Sequence, residues 1–304
     1  MTGFIVRRLF QGLFVMFMAM TVAFLLTFVL GDPVISIIGP EADAATIERM
    51  RVQLGLDRPL YVQYGSYLLR ASTGDFGISN RYRRPVGPLM IDRLWNSVQL
   101  AVPALLLASV LSIVLGIISA SQRNRWGDYA ARAFALFGQA APIFWVAIML
   151  IVVFSLVLGW LPASGRGDWR NMVLPVFTLS LWPTAYLTRI MRSSILDVMS
   201  LDYIRTARGK GISPLRVLFR HALRNALIPF VTVGAMQFAT VMSGSMIVET
   251  IFNWPGFGQL MLNAVRQLDI PLVSGTIALT AVLAVVMNLA ADILYGIIDP
   301  RVSR

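Results

Sequence analysis

The chain has 304 residues, and only 13% of them are charged, with a mean hydropathy of +0.71. Soluble domains carry about 25% charged residues, so this composition excludes an ordinary soluble protein and indicates a membrane protein. Cysteine is absent, which excludes disulfides and thiolate metal sites. Basic residues kept in short cytoplasmic loops explain the formal net charge of +11 better than nucleic-acid binding does.

Six apolar stretches recur along the chain, near 9–30, 98–120, 133–158, 172–191, 226–250 and 273–297. Each is long enough for a membrane helix, which needs roughly 20 mainly apolar residues. The first stretch could instead be a signal peptide, but it is long and leads into Gly31-Asp32-Pro33 rather than a small-residue cleavage site. The pattern therefore predicts an all-α membrane protein with six transmembrane helices and both termini in the cytoplasm.

Residues 31–97 follow the first span and are too numerous for a simple connection. A helical pattern covers 44–54, and Asp57 can cap a further helix that starts near Pro59. Glycine, aspartate, serine and proline then punctuate 72–88, which is typical of turns. Two interpretations stay open for this segment: a platform that meets a partner protein outside the cell membrane, or a packed tether between the first two spans.

A long hydrophilic interruption in the C-terminal half, 201–229, predicts two consecutive helices. The first covers Asp202–Lys210, and Gly211 is placed to end it because glycine takes the left-handed conformation without strain. Ser213 and Pro214 are suited to begin the second. The first helix is expected to carry Tyr203, Ile204 and Ala207 on one face. The second is expected to have an apolar face of Leu215, Leu218, Phe219 and Ala222 and a basic stripe of Arg216, Arg220 and Arg224.

This interruption resembles the cytoplasmic coupling loop of ABC-importer permeases, most closely the B-type subunit of the dipeptide, oligopeptide and nickel class. The similarity lies in Tyr203-Ile-Arg-Thr-Ala-Arg-Gly-Lys-Gly211 and in Arg220-His-Ala-Leu-Arg-Asn-Ala-Leu-Ile-Pro229. Arg205, Thr206 and Ala207 stand where the general family pattern has Glu-Ala-Ala. Shorter motifs follow the order of the family along nearly the whole chain: Gly31-Asp-Pro33, Gly74-Asp-Phe-Gly77, Trp160-Leu-Pro-Ala-Ser-Gly165, Asn253-Trp-Pro-Gly-Phe-Gly258 and Asp299-Pro-Arg301.

The resemblance implies a type I ABC-importer permease fold in the bacterial inner membrane. It divides the chain into residues 1–30, with the first span, a periplasmic helical insertion at 31–97, and a five-span core at 98–304 with the coupling loop at 192–225. The implied partners are a second permease in a heterodimer, two ABC ATPase subunits and an extracytoplasmic solute-binding protein. The residues expected to contact the ATPase are Tyr203, Arg205, Thr206, Ala207, Lys210 and Gly211.

Such a permease forms half of a path for peptides or a similar small solute, and uncharged polar side chains within the spans are the candidates to line it. They are Gln139, Thr178, Ser180, Thr184, Gln237, Thr240, Ser243, Ser245 and Asn288. Packing between helices is the alternative for each, because small polar residues are frequent at helix interfaces in membranes. The turn at 252–258 is either an outer gate element or a set of aromatic anchors at the membrane surface.

The chain has no catalytic signature. A Gly-x4-Gly-Lys-Ser/Thr run is absent, so ATP hydrolysis is expected in partner subunits and no cofactor or metal is expected here. The single histidine, His221, is interpreted as a polar loop residue. An ATP-independent secondary transporter is the alternative function, but it would favour ionisable residues at the centre of broken helices, whereas Glu249 and Asp292 lie towards span ends. A membrane scaffold would not explain the coupling loop.

Overall fold

The computed structural model describes residues 2–30, 34–35, 41–53 and 55–298, with side chains described at 8, 10–27, 34–35, 41–53 and 55–290. Regular structure in these ranges is helical, apart from one isolated antiparallel bridge between Ile78 and Pro85. The all-α prediction is therefore confirmed for the described residues.

The helices follow one another with short connections. They are α1 (Thr2–Leu30), α2 (Ala44–Gln53), α3 (Leu60–Ser72), α4 (Val86–Ser121), α5 (Trp126–Ala140), α6 (Ile143–Leu150, continued by a π-helical segment Ile151–Val157), α7 (Arg170–Met199), α8 (Asp202–Gly209), α9 (Pro214–Ile251), α10 (Phe257–Arg266) and α11 (Ile270–Ile298).

All six predicted spans fall on helices. Within the described residues, four helical stretches are long and apolar enough to cross a membrane: Phe10–Thr27, Val86–Ser121, Pro214–Ile251 and Ile270–Ala290. The pair α5 and α6 gives a fifth when it is counted as one bent span. The predicted span at 172–191 lies in α7, which is less apolar because Pro175, Pro183 and several Ser and Thr residues interrupt its leucines and valines.

The prediction of one continuous helix over 133–158 was wrong. α5 ends at Ala140, α6 begins at Ile143, and the two are bent by 105°. Pro142 explains the break, because proline has no N–H to donate and disfavours a helical conformation in the residue before it. Ala141 accordingly has an extended backbone, with φ −71° and ψ 127°.

The second loop helix also differs from the prediction. It is the beginning of α9, and the helix runs without a break from Pro214 into the predicted fifth span. A π-helical segment at Val217–Ala222 lies inside it.

The chain forms two compact units. The first contains residues 1–96 and 256–290, and the second contains 97–255 and 291–304. In the first, Val86 and Leu89 of α4 pack with Leu260 of α10 and with Leu272 and Val273 of α11. In the second, two apolar clusters form, one around Phe252 and Trp254 and the other, described below, beneath α8.

Candidate functional site

The end of α8 has the geometry that the sequence predicts. The backbone at Gly211 is left-handed, with φ +78°. The Gly211 N–H donates to the Arg208 carbonyl at 2.9 Å, and the Ile212 N–H donates to the Ala207 carbonyl at 3.3 Å. These two bonds form a Schellman cap, which satisfies carbonyls that a helix end leaves open. The cap fixes the direction in which the chain turns from α8 into α9.

α8 packs onto the first turns of α9. Ile204 and Ala207 are buried against Val217, Leu218 and Ala222 in one apolar cluster. Burial of this kind stabilises by about 25 cal/mol per Å² of apolar surface. α8 is therefore attached to α9 mainly by its own apolar face.

The predicted apolar faces of α8 and of the beginning of α9 were wrong in part. Tyr203 is 41% exposed, and it is held by hydrogen bonds: its hydroxyl accepts from Asn225 Nδ2 at 2.7 Å and donates to the His221 carbonyl at 3.4 Å. Leu215 and Phe219, predicted on the apolar face of the second helix, are exposed. The π-helical segment changes the angular spacing of side chains from that of an α-helix, so Val217 turns inward instead.

Five of the six residues expected to meet an ATPase are on the surface: Tyr203, Arg205, Thr206, Lys210 and Gly211. The sixth, Ala207, lies on the inner face of α8 and is buried in the chain's own core. Arg205 lies 3.5 Å from Asp202, but both side chains are more than four-fifths exposed, and such pairs contribute little stability. The stripe of Arg216, Arg220 and Arg224 is also exposed, so the surface around α8 is strongly cationic.

A buried ionic network lies in the same unit. Asp128, in the first turn of α5, is fully buried and accepts five hydrogen bonds. Arg192 of α7 donates two of them, at 2.9 and 3.0 Å. Ser119 Oγ of α4 donates at 2.6 Å, the Asn124 N–H at 3.0 Å and Arg132 at 3.1 Å. A bidentate arginine–carboxylate pair fixes geometry as well as charge, so this network, here called the Asp128 clamp, holds α4, α5 and α7 together.

The Asp128 clamp adjoins the cluster under α8. Met191 precedes Arg192 and belongs to that cluster. Met191 also lies against α4, where a Cβ added at Gly116 would come within 2.6 Å of its side chain. Sequence reasoning missed the clamp, although a single carboxylate among the basic residues at 123–132 was a visible signal.

A cavity of about 260 Å³ lies where α5 breaks and α6 begins. Its lining residues are mainly apolar and come from α5, α6, α7, α9 and the break itself: Gly138, Ala141, Ile143, Val146, Thr178, Leu179, Leu181, Trp182, Pro183, Thr240, Val241 and Gly244. α5 approaches α7 closely here, since a Cβ added at Gly138 would lie 3.0 Å from Ala185 Cβ and 3.1 Å from the Leu181 carbonyl oxygen.

The predicted path residues separate into three groups. Thr178 and Thr240 line the cavity. Ser180, Thr184 and Ser245 are buried, and each donates to a carbonyl of its own helix, as does the exposed Ser243. Gln139 is half-buried, Gln237 is buried and its Oε1 accepts no hydrogen bond from any described residue, and Asn288 is exposed on α11 in the other unit.

Glu249 and Asp292 are the two carboxylates that bear on the secondary-transporter alternative. Glu249 is fully buried and accepts a hydrogen bond from Ser97 Oγ at 2.6 Å. The side chain of Asp292 lies outside the described residues, as do Gly31-Asp32-Pro33 and Asp299-Pro300-Arg301. No group of three or more His, Asp or Glu side chains in the described part of the chain is arranged to hold a metal ion.

Comparison with known proteins gives matches along the whole chain. Residues 112–304 match the family described as binding-protein-dependent transport system inner membrane component, and residues 1–101 match its N-terminal counterpart. The chain is 41% identical to the glutathione transport system permease protein GsiC of Escherichia coli (strain K12) over 303 residues, which is 99% of each chain. GsiC of Shigella boydii serotype 4 (strain Sb227) is 40% identical with the same coverage.

Two solved structures are similar in fold. One is the MetNI methionine ABC transporter in inward-facing conformations, with a TM-score of 0.55 and 15% identity over 69% of this chain and 96% of that chain. The other is an amino acid ABC transporter with histidines, with a TM-score of 0.51 and 15% identity over 67% of this chain and 92% of that chain. At this identity the likeness shows the fold alone.

Proposed function

The chain belongs to the binding-protein-dependent transport system inner membrane components and is a permease subunit of an ABC importer; we propose that α8 is the element through which an ATPase subunit drives it. One observation carries this proposal. α8 is a short, sharply capped helix that is fixed to the core by Ile204 and Ala207 and presents Arg205, Thr206 and Lys210 outward. A partner that holds this surface moves α9 with it.

The permease is a multi-pass inner-membrane protein, and its orientation belongs to the proposal. α8 lies in the cytoplasm together with both termini, and residues 31–97 lie outside, where they meet a solute-binding protein. The concentration of exposed arginines around α8 supports this orientation, because basic residues favour cytoplasmic loops. Two ATPase subunits and a second permease of similar fold complete the assembly.

The mechanism that we propose is alternating access. Closure of the ATPase pair on ATP displaces α8, and the shared apolar cluster transmits the displacement to α9 and α7. The Asp128 clamp makes α5 follow α7, since Arg192 and Asp128 are joined by two hydrogen bonds. The displacement thereby reaches the break at Ala141 and the cavity beside it.

The cargo that we propose is a small peptide. The relatives that match at 41% identity are glutathione transport permeases, and glutathione is a tripeptide. The lining of the cavity is mainly apolar, so the path itself discriminates weakly among uncharged side chains. Selection among peptides is then expected to lie mainly in the solute-binding protein.

Purification in mild detergent tests the proposal. An ATPase and a second permease should copurify with the chain, and a solute-binding protein should stimulate ATP hydrolysis. Gly211→Val should abolish this stimulation, because valine strains the left-handed turn that sets the position of α8. Gly209→Ala, at the last residue of α8, is the matched control and should retain it. A chain that purifies alone would contradict the proposed coupling through α8.

A further inference from the structure

One side of α7 is exposed at its centre although the rest of the helix is enclosed. Between Thr178 and Met191 every residue is buried except Trp182, Tyr186, Arg189 and Ile190. Three of these follow one another at spacings of four and three residues, so they lie on one face of the helix. We call Trp182, Tyr186 and Arg189 the α7 stripe.

The three side chains of the α7 stripe are in contact. The rings of Trp182 and Tyr186 are stacked, with centroids 5.6 Å apart and planes inclined by 3°. The Arg189 guanidinium lies 5.6 Å from the centroid of the Tyr186 ring. A cation near an aromatic face is attracted to the ring, so these contacts hold Arg189 beside the stacked pair of rings.

No carboxylate of the described residues lies within ion-pair distance of Arg189, whereas Arg192, three residues later, pairs with Asp128. Arg189 lies two residues before the end of the predicted span 172–191 and ten residues before α7 ends at Met199. An arginine near the end of a span directs its charged group towards the membrane surface, where it can meet an anionic ligand.

The α7 stripe continues into the cavity at the break between α5 and α6. Trp182 lines this cavity, together with its neighbour Pro183. The cavity of about 260 Å³ is larger than the roughly 150 Å³ that hold a benzene molecule. It is smaller than the 300–1,000 Å³ of typical sites for whole drug-sized ligands. Its volume is sufficient for one apolar side chain of a peptide.

We propose that the α7 stripe and this cavity form a binding site for a small anionic peptide. Arg189 pairs with a carboxylate of the peptide, Trp182 and Tyr186 stack against its amide or side-chain planes, and the cavity receives one apolar side chain. The inference rests on the proposed peptide-import function and adds a charge preference to it. Alkyl chains of lipid would cover the rings equally well, but they supply no anion for Arg189.

Charge-selective labelling tests the site directly, because the chain has no cysteine of its own. The assembled transporter carrying Tyr186→Cys is treated with two water-soluble methanethiosulfonates, one with a sulfonate and one with a trimethylammonium group. We expect the sulfonate to be favoured, and adding Arg189→Gln to lower the sulfonate-to-ammonium rate ratio about tenfold, since a unit charge roughly 6 Å away changes the local concentration of each ion by such factors. Arg189→Lys should preserve the ratio.

Two control variants test whether the labelling depends on accessibility and on the charge of Arg189. Ala185→Cys, at a fully buried neighbouring position, should react with neither reagent. Arg170→Gln removes a second arginine of the same helix that lies 5.8 Å from a tryptophan ring, Trp169, and should leave the ratio at Tyr186→Cys unchanged. An equal ratio with and without Arg189 would overturn the anionic site. No labelling at Tyr186→Cys would show that lipid or the second permease covers the stripe, and it would overturn the proposal too.

These outcomes differ from a failure of the proposed function. If the chain copurifies with an ATPase and a second permease but shows no charge-dependent labelling, the importer assignment stands and the peptide site does not. If no ATPase copurifies, the coupling proposal fails first, whatever the labelling shows. Uptake of S-methylglutathione, an anionic tripeptide, gives the functional counterpart, and we expect Arg189→Gln to lower it about tenfold and Arg189→Lys to retain most of it.

Discussion

Two neighbouring stretches of α7 differ in how they hold an arginine. At Met191 and Arg192, the Met191 side chain is buried under α8 and the Arg192 guanidinium donates two hydrogen bonds to Asp128. At Trp182 and Arg189, the aromatic rings face outward, and the Arg189 guanidinium contacts the Tyr186 ring but no carboxylate of the described residues. One helix can therefore carry a rigid connection to the cluster under α8 and, a few residues away, an exposed surface that we propose binds a ligand.

The largest expected loss of stability follows from substituting Asp128, the partner of Arg192. Asp128→Asn keeps the shape of the side chain but leaves Arg192 without a counterion, and breaking a buried pair costs about 3–5 kcal/mol. We expect the free energy of unfolding to fall by about 3 kcal/mol, near the low end of that range because the Arg192 side chain is 23% exposed. Denaturant unfolding of the purified protein in mixed micelles measures it.

Asp92→Asn is the matched control for this substitution. Asp92 pairs with Arg84 at 3.2 Å, but both side chains are more than half exposed. The loss should be below about 1 kcal/mol, as for other surface pairs. Equal losses for the two aspartates would contradict the assignment of Asp128 as a structural clamp.

The next effect concerns the close approach of α5 to α7. Gly138→Ala places a Cβ 3.1 Å from the Leu181 carbonyl oxygen, and overpacking of this kind costs about 1–3 kcal/mol. Gly244→Ala is a matched control in the same cavity, because nothing lies within 4 Å of an added Cβ there. The same unfolding measurement should show a loss for Gly138→Ala and none for Gly244→Ala. Equal effects would mean that α5 can move away from α7 freely.

A smaller effect is expected at the turn after α8. Gly211→Ala forces a Cβ onto a residue at φ +78°, and a left-handed conformation costs an L-residue about 1–2 kcal/mol. Gly209 is the last residue of α8 and has open space around an added Cβ, so Gly209→Ala should raise stability by less than about 1 kcal/mol. Thermal unfolding measures both variants, and their unfolding temperatures should shift in opposite directions. That result would distinguish backbone strain at Gly211 from a general effect of adding a methyl group.

The smallest effect is at the hydrogen bond that fixes Tyr203. Tyr203→Phe removes the hydroxyl that Asn225 contacts at 2.7 Å, and a typical hydrogen bond contributes about 0.5–1.5 kcal/mol. Tyr61→Phe, which removes an exposed hydroxyl without a hydrogen bond in the described residues, should change nothing. A double-mutant cycle with Asn225→Ala measures the pair, and a coupling energy of zero would show that the bond does not position Tyr203.

Local signals in the sequence predicted the elements that depend on local chemistry. Gly211 and Pro214 predicted the end of one helix and the beginning of the next, because left-handed caps and first-turn prolines are properties of a few consecutive residues. Pro142 carried an equally local signal for the break after Ala140. The apolar stretch around it hid that signal, since hydrophobicity alone does not distinguish a straight helix from a bent one.

Contacts between distant residues could not be predicted in the same way. Asp128 and Arg192 are 64 positions apart, and no spacing rule connects them. The spacing of Trp182, Tyr186 and Arg189 was visible, but the face of α7 that stays open depends on packing around the whole helix. The inward turn of Val217 follows from a π-helical segment, which the α-helical period does not predict.

Site-specific cross-linking from α8 tests the central claim most directly. Thr206 and Thr73 are both exposed threonines, and in a chain without cysteine each can be replaced by a single cysteine carrying a benzophenone. The account predicts that Thr206→Cys cross-links to an ATPase subunit in the assembled transporter and that Thr73→Cys does not. An ATPase cross-link from Thr73→Cys, or none from Thr206→Cys in a complex that contains the ATPase, would contradict it.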